Sequence, residues 1–188
     1  MNSTNTELAG DWLQTQSGVA YWPLSPRAED VRISDIAHAL SHLCRFGGHC
    51  SRFYSVAEHS VLVSRVVPPS CAMQALLHDA TEAYMVDVPR PLKKFLSNYE
   101  EIEDRNWRVI AEHFGVPYEM HPSVKYADNT VLLAEKAALL GPSPRPWDWA
   151  KDLKPAPVYV HGFAPTDARE IFLERYAELK LKEALANA

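Results

Sequence analysis

In the stretch ALLHDATEAY, residues 75–84, a histidine and an aspartate stand side by side, and Glu82 follows four residues after His78. Met73, Leu76, Leu77, Ala80 and Tyr84 recur with helical period, which predicts that His78 and Asp79 sit in the middle of one amphipathic helix. Adjacent helical residues diverge by about 100°, so the pair flanks one edge of the apolar stripe and both side chains can lean toward one point beside the helix. Glu82 shares the face of His78, one turn on. Imidazole and carboxylate suit a borderline divalent cation, and a site inside a helical bundle draws further ligands from facing helices. His59 and Asp128 are the candidates for those positions. Spacing alone leaves alternatives open: His59 as a capping or surface residue, Asp128 as an acid favoured near a helix start, Asp79 and Glu82 as a solvated face. The adjacent pair argues for the metal, because a carboxylate at the edge of a core is unfavourable unless paired or metal-bound.

The elements that must position these groups read as helices. SDIAHALSHLCRF predicts the first, with Ser34 as N-cap, Ile36, Ala37, Leu40, Leu43 and Cys44 at helical spacing, and an end at Gly47 and Gly48. Ser55 and Glu58 form a capping-box pattern that starts a helix near Val56, places His59 in its first turn and lets Pro68 and Pro69 end it. Ser70 is the expected cap of the helix carrying His78, and DVPRPLKKF breaks that helix. Residues 98–114 predict another, with Ile102, Val109, Ile110 and Phe114 inward and Gly115 as a left-handed cap. The helix carrying Asp128 spans 123–140, with Ala127, Val131, Ala134 and Ala138 on one side and Gly141 past its end. Residues 141–165, rich in proline and aromatics, read as an ordered loop before a last helix over 166–184, and Pro23 and Pro26 make residues 1–33 an extended N-terminal segment. No strand pattern is long enough for a sheet, so the expectation is an all-α fold in a single domain, 1–188.

The 188 residues are 47% hydrophobic and 23% charged, the balance of one ordinary soluble domain. A formal charge of -5 argues against a broad basic surface for duplex nucleic acid. Apolar runs fall short of a membrane span and the first residues show no secretory pattern, which predicts a cytoplasmic location. Cys44, Cys50 and Cys71 form no C-x-x-C, so neither a disulfide framework nor a thiolate zinc site is expected. His38 and His42 read as structural, with His49 a substrate-side alternative. Tyr21 and Trp22 read as core packing, with covering of a base as the alternative, and EEIED, residues 100–104, as a solvated face.

Taken in order, SVAEHS, LLHDATEAYMVDVPRPLKKF and VKYADN resemble the HD-domain metal-dependent phosphohydrolases, over roughly residues 42–140. Within that superfamily they are most similar to the small nucleotide hydrolases that include bacterial 5'-deoxynucleotidases and phage dATP triphosphohydrolases. The resemblance implies an HD-domain helical bundle with His59, His78, Asp79 and Asp128 around one divalent ion: manganese, cobalt, zinc or iron. It implies that Glu82 orients or activates the attacking water, that Asp87 lies beside phosphate and sugar, and that Arg45 and Lys93 hold phosphate. Phe46 stands where the bacterial deoxynucleotidases carry tryptophan and is the expected substrate-binding residue that stacks on sugar or base, and the connection from His59 to His78 is shorter than theirs. The implied reaction is hydrolysis of (deoxy)nucleotide phosphate esters or anhydrides by a metal-activated water, on a purine deoxynucleotide such as dATP or dAMP, in a homo-oligomer. The alternative is a non-catalytic metal-bearing module that binds nucleotide and regulates a partner.

Overall fold

Helices dominate the computed structural model, which describes residues 8–186 and confirms the all-α class. The reading of residues 1–7 as lacking a secretory pattern lies outside the described residues. A two-residue hairpin, β1 (Leu13–Gln14) against β2 (Ala20–Tyr21), precedes α1 (Ile33–His42), α2 (Val56–Val66), α3 (Ala72–Leu77), α4 (Glu82–Met85), α5 (Arg90–Lys93), α6 (Tyr99–Phe114), α7 (Pro122–Leu139) and α8 (Pro165–Ala186). Among the described residues no helix is long and apolar enough to cross a membrane. The central helix is α2, buried at every position from Val56 to Ser64 and packed against α1, α3, α7 and α8. Ile36, Leu40, Val63, Leu76, Ile110, Val131 and Phe172 fill the core around it.

The capping pattern at α2 is half realised. Ser55 Oγ accepts from the Glu58 N–H at 3.1 Å, starting the helix where expected. The Glu58 carboxylate does not return to Ser55; it accepts the N–H groups of His161, Gly162 and Phe163 at 2.7–3.2 Å. A buried acid at a helix start thus docks the chain leading into α8. Gly162, at φ +75, permits that approach: a Cβ there would meet Arg52 Nε at 2.8 Å and the Phe53 carbonyl at 2.9 Å.

Several boundaries differ from the sequence reading. The first helix begins at Ile33, one residue before Ser34, without a side-chain cap, and ends at His42 rather than at the glycines. The chain there turns extended: Val56 N–H donates to the Leu43 carbonyl and Arg45 N–H to the Tyr54 carbonyl. Those bonds to the segment before α2 outcompete further helical turns and direct Arg45 inward. Ser70 lies in a short tight turn, Pro69–Cys71, and does not cap α3. The helix expected to run through His78 stops at Leu77, and residues 78–81 continue in tighter i→i−3 bonds, Ala80 to Leu77 and Glu82 to Asp79. At α6, Gly115 is the expected left-handed cap, at φ +69. At α7 the chain leaves extended through Leu140, Gly141 has no left-handed role, and Ala138 is exposed while Thr130 and Glu135 are buried.

Candidate metal centre

His59 is fully buried in the first turn of α2, Asp128 lies in the second turn of α7, and His78 and Asp79 occupy the tight turn between α3 and α4. A tightened turn inside a helical run often marks a functional position. Here His78 and Asp79 stand in that turn while Leu76 and Leu77 stay in the core. Ligand atoms of His59, His78 and Asp128 all lie within 4.8 Å of one another. Asp79 Oδ2 is 3.3 Å from His78 Nε2 and 3.6 Å from His59 Nε2, and Asp128 Oδ1 is 3.2 Å from His59 Nε2. Donors that share one first-row ion at bonds of about 2.0–2.2 Å stand roughly 3–3.6 Å apart, so these separations suit a common ion.

The outer partners fix the tautomers. His78 Nδ1 lies 2.7 Å from the Ala75 carbonyl, which can only accept, so Nδ1 carries the proton. His59 Nδ1 lies 2.5 Å from Glu135 Oε1 and donates to it in the same way. Both Nε2 lone pairs therefore face inward, buried and without a hydrogen-bond partner. Nε2 of His59 then meets the Asp128 oxygen lone pair to lone pair, an arrangement that calls for a positive charge between them. The electrostatics of His59 express the same demand. Burial and the Arg45 guanidinium disfavour its protonation, yet the Glu135 carboxylate and the close approach of the Asp128 and Glu135 oxygens raise its pKa to about 9. Against its own burial, Asp128 is held well below the usual carboxylate range by His59, with His78 and Arg45 adding to the effect. Two inward imidazoles and two carboxylates fit a divalent cation of the borderline group.

Glu135 is the functional residue that sequence reasoning missed. It is fully buried and binds three partners: His59, the Tyr54 hydroxyl at 2.7 Å and the Arg45 guanidinium at 3.2 Å. Its burial would raise its pKa, but Arg45 and His59 hold it down at about 2. The available signal was the spacing from Asp128, seven residues or two helical turns, which puts both carboxylates on one face of α7. Arg45 also lies 3.6 Å from Asp79, so one guanidinium joins the outer carboxylate to the inner one.

A cavity of about 520 Å³ opens beside these groups, lined by Arg45, Phe46, Asp79, Glu82, Asp87, Lys93 and Asp128 among others, and its size is that of a small-ligand site. Glu82 has a buried, unpartnered Oε2, and burial followed by the Asp79 and Asp87 carboxylates pushes its pKa well above the ordinary value. Burial, with Asp79, raises Asp87 as well, against the pull of Arg45. Lys93 lines the cavity while its ammonium bonds Glu103 at 2.6 Å. Phe46 reaches the wall in a left-handed conformation, φ 56, with Gly47 at φ 58 beside it. His49 is exposed and outside the lining, and His38 and His42 pack on each other at 4.2 Å. Tyr21 belongs to the core, stacked on Tyr84 at 3.7 Å with its hydroxyl on Asn106, so it covers no ligand. Cys44, Cys50 and Cys71 are free thiols.

No family model matches the chain. It is similar to the uncharacterized protein YfdR of Escherichia coli (strain K12), 40% identical over 169 residues that cover 89% of this chain and 95% of that protein. It is also similar to an uncharacterized protein of Rhodobacter capsulatus, 32% identical over 184 residues, covering 88% and 93%.

Proposed function

The chain belongs to the family of YfdR from Escherichia coli, and for this member we propose a divalent-metal-dependent phosphohydrolase of HD-domain type that acts on deoxynucleotides such as dATP or dAMP. One observation carries the reading: two buried imidazole Nε2 atoms with fixed tautomers converge with Asp79 and Asp128 beside a protonatable, unpartnered Glu82. His59, His78, Asp79 and Asp128 would hold the ion. A bound divalent cation supplies Lewis acidity at the phosphoryl group and a water acidic enough to attack at neutral pH.

The remaining tasks fall to the side chains of this chain. Glu82, with its raised pKa, takes or steers a proton of the attacking water, since a base is most effective when its pKa approaches the working pH. Arg45, anchored on Glu135, presents a permanent positive charge to phosphoryl oxygens. Lys93 adds a second charge at the cavity wall. Asp87 carries a proton more readily than an ordinary aspartate and can hydrogen-bond a sugar hydroxyl. Attack by water at phosphorus needs no covalent enzyme intermediate.

The test is a phosphate-release screen on deoxynucleoside mono-, di- and triphosphates with manganese or cobalt added. At least one is hydrolysed by the wild type, and Asp79→Ala abolishes the activity. Tight nucleotide binding with no turnover of any of them would instead identify a regulatory module.

A further inference from the structure

Above its charged floor, the cavity wall changes character. Trp147 and Trp149 stand there with ring centroids 5.9 Å apart and planes 26° from parallel. The Arg90 guanidinium lies 4.9 Å over the Trp149 ring, and the Lys136 ammonium 4.2 Å over Trp147. Arg90 in turn stands 3.7 Å from the Asp128 carboxylate and 3.2 Å from Asn129 Oδ1. A continuous path therefore runs from a candidate metal ligand, through a guanidinium plane, to an indole face. Leu132, Pro89 and Pro91 also line the cavity.

Trp149 is 46% exposed. An indole held half in water at the rim of a polar cavity is available surface, and its π-face favours a flat partner over an aliphatic one. Arg45 and Lys93, which also line the cavity, carry the charge a phosphate needs, so the indoles are left for another part of a ligand. The planar guanidinium of Arg90 is itself a stacking surface, and flat rings stack on arginine planes as they do on aromatic rings.

We propose that Trp149, with Arg90 over it, is the subsite for the planar base of the leaving nucleoside, so that the base adds to recognition beyond sugar and phosphate. The subsite rests on the phosphohydrolase reading given above. Stacking on an indole is tolerant of base identity because every base presents a π-face. The subsite therefore selects for the presence of a base and only weakly for which base it is.

The test compares kcat/KM for a 2'-deoxynucleoside 5'-monophosphate with kcat/KM for 2-deoxyribose 5-phosphate, which keeps sugar and phosphate but lacks the base. The ratio of the two is measured in wild type, Trp149→Ala and Trp149→Phe. In Trp149→Ala the ratio falls about tenfold or more, and Trp149→Phe recovers most of it. An unchanged ratio overturns the subsite, and so does an equal fall on both substrates, which marks Trp149 as structural support. If the wild type hydrolyses neither ester, the screen on di- and triphosphates decides the phosphohydrolase reading, and equilibrium dialysis with the deoxynucleoside itself decides the subsite. Weaker retention by Trp149→Ala than by wild type supports it, and no difference between them overturns it.

Discussion

The floor of the cavity and its rim hold charge in opposite ways. On the floor, Glu135 is fully buried and its carboxylate is shared among Arg45, Tyr54 and His59, so three side chains are fixed by one anion. At the rim, Arg90 and Lys93 sit on α5, a helix of one turn with no buried residue, and pair with Asn129, Asp128 and Glu103 at the edge of solvent. Buried groups of the first kind cannot reorganise without leaving a charge unpaired, whereas pairs of the second kind exchange with water at little cost. Under the proposed function this is a division of labour: a rigid floor would set the positions of ligands and base, and an adaptable rim would meet the variable part of a substrate.

The contrast can be broken at several points, the largest concerning the base. Glu82→Gln lowers kcat by about 10²–10⁴-fold, the usual contribution of a positioned general base, measured by phosphate release. The pH profile gives the sign: Glu82 acts deprotonated, so activity falls as pH drops through its raised pKa and reaches a plateau above it. The acidic limb therefore lies above the ordinary glutamate value of 4.5. A limb at or below that value would show that Glu82 is not the group that titrates.

Next is the floor itself. Glu135→Ala removes the buried carboxylate that Arg45, His59 and Tyr54 share and destabilises the fold by about 3–5 kcal/mol in urea unfolding. Glu135→Gln keeps the volume and loses the charge that orients His59, and lowers metal affinity about 10–100-fold by calorimetric titration. At the rim, Lys93→Ala changes stability by less than about 1 kcal/mol, because its pair with Glu103 is partly exposed, while raising KM. Equal stability losses in Glu135→Ala and Lys93→Ala would erase the distinction between floor and rim.

Legibility in the sequence followed the range of the interactions. The Ser55 cap of α2, the Gly115 cap of α6 and the periodicity of α6 and α7 are local, and the helices stand where those patterns put them. Four of the candidate site residues, His59, His78, Asp79 and Asp128, come together from three separated stretches. Long-range bonds hid the rest. Nothing within the first helix announces that Leu43–Arg45 will pair with the residues before α2, and that pairing is what turns Arg45 into the site. The break at His78 has no proline or glycine to mark it. Glu135 sits among Ala134, Lys136 and Ala138, where a charged residue reads as solvent-facing until the partners Arg45 and His59 are placed against it. The role of Trp147 and Trp149 depends on where a proline-rich loop lands on the cavity, which composition marks as ordered but cannot aim.

Metal content tests the central claim most directly. After equilibration with cobalt or manganese and removal of free ion, mass spectrometry of the wild type finds one ion per chain. His78→Ala and Asp128→Ala, shown by circular dichroism to keep their helices, retain almost none. A wild type that holds no ion, or an Asp128→Ala protein that holds its full complement, contradicts the account.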